Sequence, residues 1–150
     1  MYPDERVEKL ITDNFIPARV HVKDNAAEFQ LFGERFNAQW TPTILLIASD
    51  GDVFHRVEGF LPSEDFLAQI TLGLGHYAFK RKDYGTAEKH FREVITRYPK
   101  TEAAAEAQYW AGVSKYKATN DPSALGETAA AFSTSYADSS WAKKASVWKR

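Results

Sequence analysis

The sequence contains no cysteine. Thiol redox catalysis, disulfide cross-links and thiolate metal sites are therefore excluded for this chain. It has no apolar run of 18 residues, so no membrane-spanning helix is expected. The N-terminal "MYPDERVEKL" is charged and lacks a secretory apolar core, and the expected location is cytoplasmic. No G-x-S-x-G or phosphate-binding loop is present, and "GLGHYAF" departs from G-x-G-x-x-G and follows no strand. The histidines, His21, His55, His76 and His90, form no His-x-x-x-His pair and have no acidic partner at metal-ligating spacing. His21 and His55 fall on predicted strands, where an outward or hydrogen-bonded imidazole is the plainer reading. Carboxylates are scattered without an acid–base motif. Neither enzyme activity, nor a cofactor, nor a metal is expected. No arginine-rich stripe argues for nucleic acid, and nothing argues for a membrane partner.

What is present is ordinary globular material. The 150 residues are 44% hydrophobic and 26% charged, enough for one domain or two small ones, and the 14% aromatic content can build a core or an interface. The net charge of −1 hides a polarity. Residues 1–71 carry 6 Lys/Arg against 12 Asp/Glu, a net of −6, and residues 72–150 carry 13 against 8, a net of +5. Such halves can attract one another within or between chains, or can simply be two solvated surfaces.

Apolar spacing predicts a helix over 4–14 from Val7, Leu10 and Ile11. Alternation of Ile16, Ala18, Val20 and Val22 predicts a strand over 15–23, with Pro17 near its start or on an edge. Asp24 or Asn25 caps a helix bearing Phe29, Leu31, Phe32 and Phe36. In "QWTPTILLIASDGDVFHRVEG", residues 43–48 read as a strand buried on both faces, Asp50-Gly51 as a hairpin turn, and 53–57 as the second strand. Ser63 is expected to cap a helix whose apolar face runs unbroken to about residue 81, joining the two halves rigidly. Helices follow over 85–97, 102–118, 123–135 and from about 139, divided by "RYPKT" and "TNDPS".

Two resemblances emerge. Residues 69–99 resemble a tetratricopeptide repeat: Leu74-Gly75 in the first helix, Asp83-Tyr84 at the turn, Ala87 and Phe91 in the second helix, Pro99 at the end. A weaker copy follows, with Gly112 matching Gly75 after 37 residues and Tyr136-Ala137 matching Tyr98-Pro99 after 38. The resemblance implies that the last helix caps the stack. Residues 1–71 resemble the later part of a thioredoxin-like domain, through "FIPARVHV", "AAEFQLFGERF", "WTPTILLI" and "DGDVFHRVEG". That resemblance implies a cis bond at Pro42 and a peptide-facing Thr41. It also implies a first strand and a Cys-x-x-Cys, and both are missing. The whole arrangement resembles a shortened relative of bacterial thioredoxin-like proteins with a C-terminal repeat pair.

In thioredoxin-like sheets the missing strand lies between the strands matching 15–23 and 43–48. Either these two pair directly or another chain fills the gap, so a homodimer through the unpaired sheet edge is one expectation. The expected fold is α/β plus all-α: an incomplete thioredoxin-like sandwich over 1–71 and a helical repeat array with a capping helix over 72–150. The candidate peptide-binding residues are Trp40, Thr41, Pro42, Lys80, Tyr109, Lys115 and Tyr116. Trp40 lines a docking surface or packs at the sheet end. Tyr109 and Tyr116 pack the repeats or face their groove. Lys80 and Lys115, with Lys82 and Lys117, charge that groove positively or are solvated. The expected function is non-catalytic binding of a protein or peptide. The alternatives are a piece of a thiol–disulfide oxidoreductase whose Cys-x-x-Cys lies outside this chain, and a self-assembling scaffold.

Overall fold

The computed structural model describes residues 3–149. Helix α1, Glu5–Asn14, starts where the Asp4 carboxylate accepts from the Arg6 amide at 3.0 Å. Its Val7 is buried, and Leu10, Ile11 and Phe15 pack against the same core. The Arg6 guanidinium bonds Asp4 and reaches Glu64 at 2.6 Å, tying α1 to a later helix.

Residues 15–21 carry no secondary structure and 22–25 form a turn, which corrects the strand expected over 15–23. Ile16, on the face meant for burial, is 99% exposed. Alternation states which face a strand would bury but supplies no neighbour, and a strand without a ladder leaves its backbone groups to water. His21 accordingly lies outside any strand, its amide donating to Asn25 Oδ1 at 3.2 Å. Helix α2, Ala26–Phe36, follows and ends on Asn37 in the left-handed region (φ 51°). None of its residues is buried. It is held at its C-terminal end, where the Arg56 guanidinium donates to the Phe36 and Asn37 carbonyls.

Strands β1, Thr43–Ile47, and β2, Val53–Glu58, pair antiparallel from Thr43↔Glu58 to Leu46↔His55, with an irregularity between Leu46 and Ile47. The turn is the expected one, with Gly51 at φ 90° and the Asp50 carboxylate accepting from the Asp52 amide. Among the described residues the sheet has these two strands alone. The expectation that 43–48 is buried on both faces is corrected: Leu46 is buried on the core side, whereas Ile47 is 41% exposed. Burial of both faces needs a layer on each, and α2 does not supply the second.

Helix α3, Ser63–Lys80, runs without interruption through residues 71 and 72, as the unbroken apolar face predicts. Ser63 is its first residue rather than its cap. Pro62 holds the cap position without a side-chain bond. Helices α4, Tyr84–Arg97, α5, Glu102–Thr119, α6, Ser123–Thr134, and α7, Ser140–Ala145, complete the chain, with a 3-10 turn over Ser146–Trp148. One core joins Val7, Leu46, Phe66, Leu67, Ile70 and Leu72 to Phe91 and Val94 of α4 and Ala107 of α5.

Small residues set the helix approach. A methyl on Gly75 would stand 2.6 Å from the Phe91 ring, and one on Gly112 would stand 1.8 Å from Thr128 Oγ1. Both glycines precede their contacts by the same spacing, and Leu67, Ile70 and Ala87 share burial with Ala104, Ala107 and Ala124, each 37 residues on. At the C-terminal end, Tyr109 packs against Trp141 and Trp148 at centroid distances of 5.3 and 4.8 Å, so α7 and the 3-10 turn cover one side of α5.

Candidate binding site

The hairpin presents an edge, a face and an aromatic end. The Gly59 amide donates to the Pro42 carbonyl at 2.8 Å, which continues the ladder past Thr43↔Glu58. Hydrogen-bonded pairs alternate along an antiparallel ladder. Pro42/Gly59, Ile44/Val57 and Leu46/His55 are therefore bonded pairs, and the N–H and C=O groups of Thr43 and Leu45 point to the open edge of β1. The side chains of Thr43, Leu45 and Ile47 lie on the face away from α3, while Ile44 and Leu46 pack into the core.

At the end of this edge the Thr41–Pro42 peptide bond is cis, as the sequence resemblance implies. The Thr43 hydroxyl donates to the Trp40 carbonyl at 2.6 Å and fixes the loop. Trp40 is 69% exposed, and Thr41 and Pro42 are exposed beside it. Phe60, on the other side of the Pro42–Gly59 pair, is 74% exposed. Sequence reasoning missed Phe60, although an aromatic between Gly59 and Leu61-Pro62 in a loop is a readable signal. Ile16, Val22 and Leu31 are also exposed, so most of the exposed large apolar side chains among the described residues lie in the N-terminal half.

The other sequence candidates lie elsewhere. Lys80 sits at the opposite end of the hairpin, its ammonium 2.5 Å from the Asp52 carboxylate, which raises its pKa. Lys115 pairs with Glu127 of α6 at 2.8 Å. Tyr109 is half-buried in the cap packing already described, and Tyr116 is half-buried on α5. An open cleft of 580 Å³ lies between α3, the start of α5 and residues 136–141. Glu102, Glu106 and Asp138 line it with Lys100, and Lys80, Lys82, Lys115 and Lys117 do not. This cleft is acidic, and Lys80 and Lys115 are instead engaged in ion pairs outside it.

A histidine cluster joins hairpin to helices. His55 Nε2 meets Gln69 Oε1 at 2.9 Å, His76 Nε2 meets Glu106 Oε1 at 2.9 Å, and the two rings are 6.2 Å apart. Burial pushes the His55 pKa down, partly offset by the Gln69 bond. Among the described residues no three His, Asp or Glu side chains converge as metal ligands, and no helix is long and apolar enough to cross a membrane.

No curated protein and no solved structure is significantly similar to the chain. Residues 1–73 match the model of a family described as thioredoxin-like domain, and the described residues beyond that match are mostly helical.

Proposed function

We propose that the chain is a non-catalytic protein-binding module that captures an extended segment along the open edge of β1. The observation that carries this reading is the unpaired edge itself. Thr43 and Leu45 point their backbone groups away from β2, next to a face on which their own side chains are half-buried and Ile47 is exposed. A strand added there would satisfy those groups and cover Leu45 and Ile47, the mode by which sheet edges recognise peptides. The loop Trp40–Thr41–Pro42 forms the end wall of the site. Helices α3 to α6 read as two tetratricopeptide-type hairpins, supported by the repeated glycine contacts and burial, and they brace the hairpin through the shared core.

The test is calorimetric titration with an acetylated, amidated peptide of alternating threonine and valine. Saturable binding is expected, with loss in Ile47→Lys, which places a charge on the face a partner must cover. Undiminished binding to the folded Ile47→Lys protein would place the site elsewhere. A second reading, part of a thiol–disulfide oxidoreductase, is favoured by the match over residues 1–73 together with the open edge. A supplied strand bearing Cys-x-x-Cys would then restore thiol–disulfide exchange when mixed with this chain, whereas the binding-module reading expects no exchange above that of the strand alone.

A further inference from the structure

Trp40 and Phe60 flank a single bonded pair, Pro42 and Gly59, so both exposed rings stand at the same end of the hairpin. Aromatic faces attract cations, and arginine more often than lysine because its planar guanidinium stacks. Independently, the half of the chain that carries this surface has a net charge of −6. Its internal ion pairs, Arg6 with Asp4 and Glu64, Lys9 with Asp13, Arg56 with Glu58, leave that excess unchanged, and Lys80 of the other half offsets it only at Asp52, at the far end of the hairpin. The excess charge and the exposed rings favour the same kind of partner.

Resting on the strand-capture reading, we propose that the bound segment is cationic and places arginine against Trp40 and Phe60. The occupant is an extended segment of a different protein, apolar on alternate residues between arginines. A second copy joined edge to edge would set one half of −6 against another, and like charges oppose that approach. The cationic half of a second copy, net +5, is helical throughout its described elements and offers no extended strand to β1.

Four acetylated, amidated heptapeptides test this: Arg-Thr-Val-Thr-Val-Thr-Arg and its versions with lysine, threonine or glutamate at both ends. The arginine peptide is expected to bind tightest, the lysine peptide a few-fold weaker, and the glutamate peptide weaker than the arginine peptide by about tenfold or more. The arginine advantage should shrink between 50 and 200 mM NaCl, as the Debye length shortens. Trp40→Ala, or Phe60→Ala as a second variant, should bring the arginine peptide to the level of the lysine peptide. Equal affinity for all four, with the Thr43 and Leu45 amides protected in each complex, would overturn the charge inference and leave strand capture standing. No binding by any peptide, the threonine one included, would overturn both.

Discussion

Gly112 and Gly126 sit on neighbouring helices and should respond oppositely to a methyl group. At Gly112 a methyl would collide with buried Thr128, whose hydroxyl already donates to the Ala124 carbonyl at 2.7 Å. Gly112→Ala is therefore expected to cost roughly 1–3 kcal/mol from overpacking, despite its better helix propensity. At Gly126 nothing lies within 4 Å of the added atom, and Gly126→Ala should stabilise by roughly 0.5–1 kcal/mol. Urea denaturation of both variants checks the pair, and equal signs would contradict the packing account. The Gly75–Phe91 contact was legible because both residues belong to a recognisable spacing. The Gly112–Thr128 contact was legible only at the glycine, since threonine at 128 belongs to no motif and its role follows from the approach of α5 to α6. Ser63 shows the reverse: a good capping residue that the structure places one position inside the helix, with Pro62 at the cap.

At the scale of elements, the hairpin meets the helices through His55. Its partners on the packed elements are Gln69 and His76 of α3 and Glu106 of α5. Burial lowers the His55 pKa, and burial lowers that of His90 on α4 as well. As pH falls below about 6.5 the unfolded chain takes up these protons before the folded one does. The stabilising contribution is thus complete above that pH and declines as pH falls towards the folded-state values. Denaturation midpoints should drop between pH 7 and pH 5. His55→Gln, which keeps a donor for Gln69, should flatten part of that decline. An unchanged pH dependence in the variant would show that His55 is not the group responsible.

The hairpin was legible because Asp50-Gly51 joins two apolar runs of matching length. The segment 15–23 was not, because its alternation carries no information about a partner strand. The partial exposure of the outer face of β1, greatest at Ile47, was likewise hidden: a continuous apolar run looks the same whether the chain or another molecule covers it. Trp40→Ala should leave folding stability within about 0.5 kcal/mol, as expected for an exposed side chain outside the core. A large loss in thermal unfolding would instead make Trp40 a packing residue.

Across the whole molecule, one core spans the hairpin, α1 and α3 to α5, while net charge divides the chain near the middle of α3. The division was legible by counting, and the continuity of α3 by its unbroken apolar face. The acidic character of the cleft was not legible, because helix spacing alone does not tell which lysines turn inward and which meet Asp52 or Glu127. Light scattering at low salt should show no edge-to-edge dimer at micromolar concentration, since pairing would oppose two acidic halves. A dimer abolished by Ile47→Lys would contradict that expectation.

Residue-resolved amide hydrogen exchange tests the central claim most directly. In the free chain the Thr43 and Leu45 amides should exchange quickly while those of Ile44 and Leu46 are protected by β2. Addition of the arginine-ended heptapeptide should slow Thr43 and Leu45 to the rates of their neighbours. Protection of Thr43 and Leu45 in the free chain, or their unchanged exchange in a saturated complex, would contradict an open edge that receives a partner strand.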